Sequence, residues 1–347
     1  MPDGTRIIRY PFESAPEPGG VIEVADGVFW IRMPLPMALD HVNLYALDDG
    51  DSWTLIDTGF GSRKSRALLT SVFEGPLAGK PVGRVLVTHH HPDHVGLAGW
   101  LQSAHGAELL MSRTAWLMAR MLQLDEQPTP NTETLAFWQA AGMEPEILAQ
   151  RANERPFNFA DCVDPLPLGY SRIDEGDLLT MGGRQWRARL GSGHAPDHVT
   201  LWSESDELVI GGDQLLPSIS PNIGVYATEP EADPVADWMD SCKRLKPFAT
   251  AEQLVLPGHK LPFYGLPTRL DQLLENHVSA LDRLEAHLTE PKSAGECFLP
   301  IFKRQVSGGE YGLALVESMA HCVHLWHQDR AIRQISDDGV WLWQAKG

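Results

Sequence analysis

Cysteine is scarce. Four residues in 347, Cys162, Cys242, Cys297 and Cys322, share no short spacing and no Cys-x-x-Cys pair. They offer neither a disulfide framework nor a zinc ribbon, and a reducing compartment is expected. Long apolar runs are missing as well. None approaches the roughly 18 residues that a membrane-spanning helix needs. Residues 1–20 are polar and rich in Pro and Gly, without the apolar stretch of a secretory leader. A cytoplasmic, soluble chain with no membrane partner is the expectation. Positive charge is also short: 28 Lys and Arg against 46 Asp and Glu leave a net charge of −18. That balance disfavours nucleic acid and anionic membrane as partners. No Gly-x-Ser-x-Gly elbow marks a serine nucleophile.

What is present is histidine at the ends of apolar runs. Val85, Leu86 and Val87 read as a buried strand. Thr88-His89-His90-His91-Pro92-Asp93-His94 follows at once, and Val95, Leu97, Ala98 and Leu101 resume with helical spacing. The cluster therefore sits between a strand's C-terminal end and a helix, where open α/β proteins bind ligands. His194 lies in the turn Gly193-His194-Ala195-Pro196, Asp213 follows the run 208–210, and His259 follows the run 254–256. Imidazoles and carboxylates gathered this way suit a borderline-soft divalent cation, zinc above all. An accidental histidine tract would explain the first cluster but not three further donors at strand exits.

The pieces His89-x-His91-x-Asp93-His94, His194, Asp213 and His259 together resemble the metallo-β-lactamase superfamily, most closely its glyoxalase II-like hydrolase branch. The resemblance spans about residues 21–263 and finds every motif piece in order. It implies an α/β, four-layer αββα sandwich. It also implies two divalent metal ions, zinc first, with iron or manganese as alternatives. His89, His91 and His194 would hold one ion and Asp93, His94 and His259 the other, with Asp213 bridging. Asp93 and Asp213 are then the catalytic carboxylates. The ions would sit about 3.5–4 Å apart and lower the pKa of a shared water toward neutrality. With one ion only, Asp93 would serve as a proton shuttle.

Around this set the roles are less specified. Asp57 either orients a ligating histidine or closes an Asx turn at Asp57-Thr58-Gly59. His90 should turn away from the metals. His41 and His198 are candidates for the mouth of the site, and Lys260 and Tyr264 for the pocket, since they follow the last ligand. His41-Val42-Asn43-Leu44-Tyr45 leading to Asp57 is echoed by His198-Val199-Thr200-Leu201-Trp202 leading to Asp213. This weak internal repeat fits two related halves and points both acids toward the mouth.

Three domains are expected: an arm at 1–20, a catalytic domain at 21–266 with a helical cap at 118–170, and a C-terminal domain at 267–347. A leucine stripe from Leu270 to Leu288, two more helices and a hairpin around Asp338-Gly339 resemble a small winged-helix module. It lacks a basic stripe, so packing or homodimerisation is expected of it rather than nucleic-acid binding. His277 and His287 read as helix-surface residues. The functional expectation is a metal-dependent hydrolase of a small ester, thioester or lactone. The alternatives are a metal-dependent RNase and a mononuclear iron dioxygenase of the persulfide type.

Overall fold

The computed structural model describes residues 7–347; residues 1–6 of the expected arm lie outside the described residues. The chain divides into two compact units. One runs to Glu126 and includes Asn158–Pro221 and Leu245–Leu270. The other comprises Gln127–Phe157, Asn222–Arg244 and Asp271–Gly347.

In the first unit, short apolar runs pair as two sheets. Strands β1 (Ile22–Ala25), β2 (Val28–Pro34), β3 (His41–Asp48), β4 (Trp53–Ile56), β5 (Val82–Leu86), β6 (Glu108–Ser112) and β7 (Ser171–Ile173) lie in that order. The order is antiparallel up to β4 and parallel from β4 to β7. Strands β8 (Leu178–Met181), β9 (Arg184–Gly191), β10 (His198–Ser203), β11 (Leu208–Gly212) and β12 (Leu254–Pro257) form the second sheet, with β11 and β12 parallel.

Period-two alternation assigns the faces. Trp30, Tyr45, Leu47 and Ile56 meet Trp186, Ala188, Leu201, Ile210 and Leu256 in one apolar core. Their neighbours Ile31, Leu44, Ala46 and Leu55 point the other way. There they bury against Leu69 and Val72 of α1 (Arg63–Glu74), Val95 of α2 (Pro92–Val95), Leu101 of α3 (Ala98–His105) and Ala115 and Ala119 of α4 (Arg113–Leu124). Strand β3 is buried along almost its whole length because both faces are covered. Strand β7 has no apolar alternation to announce it; it exists through pairing with β6.

The echo noted above has a structural counterpart. Strands β3 and β4 form an antiparallel pair followed by parallel β5, and β10 and β11 one followed by parallel β12. Asp57 and Asp213 thus follow corresponding strands.

The second unit holds α5 (Thr132–Ala140), α6 (Pro145–Arg151), most of α7 (Pro234–Leu245) and α8 (Leu266–His287), α9 (Phe298–Phe302) and α10 (Tyr311–His327). The hairpin β13 (Ala331–Ile335) and β14 (Trp341–Ala345) completes it. Residues 127–157 group here and not with the sheets. The Glu144 N–H donates to the Tyr311 hydroxyl (3.0 Å) and the Gly295 N–H to the Ala141 carbonyl (3.0 Å). The segment expected as one cap, 118–170, therefore divides between the units. His277 is not a surface residue: it is buried against His321 and Trp238. Its helix packs on two sides, so the polar residue beside the leucine stripe is enclosed too. Among the described residues no helix is long and apolar enough to cross a membrane.

Candidate metal centre

Strands β4, β5, β9, β11 and β12 all end at one edge of the first unit, and the turns that leave them carry the candidate donors. Backbone hydrogen bonds stitch the two sheets there. The Val199 N–H donates to the Thr88 carbonyl (2.8 Å) and that of Asn43 to Gly258 (2.7 Å), while the Gly258 N–H donates to Gly212 (2.8 Å) within the second sheet. The histidine-rich turn is pinned in turn by Thr58, whose N–H donates to the His94 carbonyl (2.8 Å). Pro92 at the first position of α2 suits the helix start, so His91 stays extended while Asp93 and His94 turn back.

Three overlapping groups result: His89, His91 and His194; His89, His94 and Asp213; and Asp93, His94 and His259. Within each, the donor atoms lie within 4.8 Å of one another, so each could hold a metal ion. His91 Nδ1 is 3.0 Å from His89 Nε2 and 3.0 Å from His194 Nε2. Asp213 Oδ2 lies 3.5 Å from His194 Nε2 and 3.2 Å from His259 Nε2, and Asp213 Oδ1 lies 3.4 Å from His94 Nε2. Asp93 Oδ2 is 3.4 Å from His259 Nε2 and 3.5 Å from His94 Nε2. All seven candidate ligands therefore converge, over about 170 positions of sequence.

Support from behind sets which nitrogen faces inward. Asp57, buried and left-handed at φ 59°, accepts from the Thr88 N–H (2.7 Å), the Thr88 hydroxyl (2.9 Å) and His94 Nδ1 (2.8 Å). With the proton on Nδ1, the His94 Nε2 lone pair points to the centre. His259 Nδ1 donates to the His41 carbonyl (2.7 Å), and His89 Nδ1 to the Thr88 hydroxyl (3.0 Å). Asp57 thus braces the candidate ligand His94 and does not point to the mouth.

His198 also departs from expectation. It is fully buried, stacks on His89 at 4.6 Å, and its Nε2 accepts the Asp213 N–H at 3.1 Å. It sits behind the donors instead of lining the mouth, because Gly212, at φ 48°, lets the chain pass over its ring. His90 belongs to none of the three groups. The His41 Nε2 accepts the Lys260 N–H (2.9 Å). Tyr264 pairs its backbone with Arg9, whose guanidinium lies over the Tyr264 ring, outside the donor groups.

A sequence profile of the metallo-beta-lactamase superfamily matches residues 37–286. The chain belongs to the metallo-β-lactamase superfamily. A second profile, the metallo-beta-lactamase-like C-terminal domain, matches residues 281–346. The chain is similar to a crystal structure of a beta-lactamase domain protein from Burkholderia ambifaria, with 36% identity, 98% of each chain covered and a TM-score of 0.89. It is also similar to a metallo-beta-lactamase family protein from Thermus thermophilus, with 25% identity, 93% of this chain and 100% of that one covered, and a TM-score of 0.77. Among curated relatives are a probable metallo-hydrolase of Bacillus subtilis, YqjP, and the acyl-coenzyme A thioesterase MBLAC2 of Gallus gallus. The first is 25% identical over 85% of this chain and 91% of its own length. The second is 25% identical over 74% of this chain and 85% of its own length.

The donors of this superfamily member fit a divalent metal on their own geometry. His94 Nε2 and Asp213 Oδ1 are buried and lack a hydrogen-bond partner, an expensive arrangement unless a cation completes it. Burial drives the pKa of His89 and His91 well down, keeping both as neutral donors. At His94 and His259 burial again opposes charge, but Asp213 and Asp93 outweigh it; His94 is raised well above its usual value and His259 is pushed up to about 10. Burial works against the Asp213 charge too, yet His259 and His94 hold that carboxyl well below the usual range. The acidic half of the site demands positive charge, which protons supply when no metal does.

Several functional residues escaped sequence reasoning. Thr88 relays Asp57 to His89. Asn43 Nδ2 donates to the carbonyls of Pro257 and Lys260 (2.9 Å each), and the Tyr45 hydroxyl to that of Pro257 (2.9 Å). A Cβ on Gly258 would lie 2.2 Å from Asp213 Oδ1, so only glycine leaves the acid its place. The available signals were a polar Asn inside an apolar strand and Pro-Gly directly before a ligand histidine.

Proposed function

We propose that the chain is a metallo-hydrolase of a small ester, thioester or lactone that works with two divalent ions, zinc first. The reading rests chiefly on Asp213, whose carboxylate lies within 3.5 Å of His194, His259 and His94, donors that belong to both ends of the cluster. His89, His91 and His194 would hold one ion, Asp93, His94 and His259 the other, and Asp213 both. Bound there, the ions supply Lewis acidity that lowers the pKa of water and polarises the bond to be broken.

The chain's own residues supply the rest. Asp57, Thr88 and the His41 carbonyl fix the tautomers of His94, His89 and His259. Asp93 is the more solvent-accessible of the two acids, with a side chain 17% exposed against 8% for Asp213; were only one ion bound, it would be the group to pass a proton outward. A cysteine nucleophile has no support: all four thiols are buried, and burial pushes Cys162 up to about 12. A thiol leaving group, with a pKa near 8.5, departs without strong acid assistance, which favours thioesters. The glyoxalase II-like motif set and the thioesterase relative point the same way.

The C-terminal helices and hairpin, read as a winged-helix-like module, serve packing or dimerisation. Its arginines are occupied: Arg330 pairs with Asp282 and Glu285, Arg304 with Glu310, and Arg333 pairs with Glu231 between the rings of Trp326 and Trp341. The test is a panel of acyl thioesters, aryl esters, lactones and single-stranded RNA with metal-loaded protein. Turnover of a thioester, ester or lactone, lost on chelation and restored by zinc, is expected. RNA cleavage alone, or oxygen consumption with a single iron, would replace this reading.

A further inference from the structure

We infer that the uncovered face of α4 seats an unbranched acyl chain of the substrate. This rests on the hydrolase reading and specifies its substrate class, an ester or thioester of a long acyl group. Helix α4 reads Arg-Thr-Ala-Trp-Leu-Met-Ala-Arg-Met-Leu-Gln-Leu, with two arginines and no acid. A helix apolar on nearly every side is normally enclosed. Here Ala115 and Ala119 are buried in the core, yet Leu117, Met121 and Leu124 are 52%, 43% and 65% exposed. Spaced by four and three, they share one face. Met118 and Leu122, only partly covered, border it. Apolar residues exposed singly are ordinary, whereas several joined into a stripe mark a binding surface.

The stripe starts at the candidate metal centre. Strand β6 runs parallel to β5, so it ends at the same edge as the strand that leads into the histidine-rich turn. Helix α4 follows β6 directly, and the Ser112 hydroxyl caps it by accepting from the Ala115 N–H at 3.3 Å. Thr114 lies three residues before Leu117 and seven before Met121, so it heads the same face. Its hydroxyl donates to Asp197 Oδ2. Asp197 closes the turn that carries His194, with φ 50° and its N–H on Ser192 Oγ at 3.4 Å. From Thr114 to Leu124 the stripe then runs outward for about 15 Å, at 1.5 Å per residue.

Its chemistry selects the occupant. A group that leaves the reacting centre along α4 meets carbon and sulfur. Two of the residues on or beside the face are Met118 and Met121, whose unbranched, polarisable side chains adapt to apolar partners of varied shape. That suits a flexible chain. Arg120 is turned aside: its guanidinium lies over Trp116 at 5.7 Å and donates to the Leu166 carbonyl at 2.6 Å. A charged chain would therefore find no partner from it, while a hydrocarbon chain covers the exposed leucines and is itself removed from water. A second copy of this chain fits less well. A stable protein interface buries roughly 1,200–2,000 Å² in total, beyond the reach of a stripe three exposed side chains long.

The test compares acetyl, octanoyl and dodecanoyl thioesters of one thiol. Wild type should prefer the dodecanoyl over the acetyl compound at least tenfold in kcat/KM, since each buried methylene contributes up to about fourfold. In the triple variant Leu117→Ser, Met121→Ser, Leu124→Ser that ratio should fall at least tenfold, chiefly through KM. The ratio cancels any loss of folded protein. Leu313→Ser, a leucine of the second unit that is 55% exposed, should keep the wild-type ratio. A wild type indifferent to chain length, or a triple variant with the wild-type ratio, overturns the inference. So does a wild-type dimer that the triple variant turns into a monomer at unchanged ratio, which would give the face to a second copy. In parallel, the dodecyl thioether of the same thiol, which has no acyl bond to cleave, is titrated calorimetrically into the metal-loaded proteins. Binding at least tenfold weaker in the triple variant upholds the inference even if wild type hydrolyses no thioester, a result that would count against the hydrolase reading alone. Equal affinity in both overturns it.

Discussion

Asp57 carries no candidate metal contact, yet one carboxylate holds the Thr88 backbone, the Thr88 hydroxyl and His94 together. Its left-handed φ of 59° is one that asparagine tolerates, so Asp57→Asn removes the charge while keeping shape and backbone. The variant should bind its second zinc about 10–100-fold more weakly, as loss of a ligand's supporting carboxylate generally does. Zinc titration against a chromophoric chelator checks this; wild-type affinity at both sites would show that Asp57 only closes a turn. At this scale the sequence was partly legible. Six of the seven donors announce themselves because each follows an apolar run or lies within a histidine cluster, and His194 because it sits in a glycine-flanked turn. The roles of Thr88, Asn43 and Tyr45 depend on register across two sheets, which no local pattern carries.

Among elements, strand exits explain why the donors meet. The strands end at one edge, and Gly258 and Gly212 remove the side chains that would collide with Asp213 and His198. The helices tell a different story. The leucine stripe announces α8, but not which polar neighbours it encloses. His277 on α8 stacks on His321 of α10 at 5.3 Å, with its Nδ1 3.2 Å from His321 Nε2; His321 Nδ1 donates to the Glu317 carbonyl at 2.8 Å. Burial, then the neighbouring histidines, lowers His277 to about 3. Burial lowers His321 to about 4, with the Glu317 carbonyl and then Asp233 opposing and His324 and Arg283 assisting. Both are neutral when folded, so their stabilisation is complete above the ordinary value near 6.5 and is lost as pH falls toward 4. Glu317, bound to Asn222 Nδ2 at 2.7 Å, is raised by burial to about 7 and acts oppositely between 4.5 and 7.

Each group contributes about 1.4 kcal/mol per pH unit across its window. Two histidines against one carboxyl leave a net loss of about 1.4 kcal/mol per unit from pH 6.5 to 4.5. In His277→Gln one histidine opposes one carboxyl, and that share of the acid sensitivity should vanish. Thermal melts of both proteins across this range check it as a difference, in which all other acid-labile groups cancel. Parallel curves would contradict the linkage.

For the whole molecule, the superfamily fold accounts for the sandwich and for the edge where its strands end. The net charge of −18 argues only about partners, not about chemistry. Strand β7 and the division of residues 118–170 between two units were not legible, because both follow from pairing partners distant in sequence. The candidate metal ligands stood out in the sequence because metal chemistry restricts the residue types that can serve. The most direct measurement is a count of metal per chain by plasma mass spectrometry after zinc loading and desalting, in wild type and in His91→Ala. Wild type should retain about two zinc ions, and His91→Ala should lose metal and all turnover. A wild type that retains no zinc, or a His91→Ala protein with full metal content and undiminished turnover, would contradict the account.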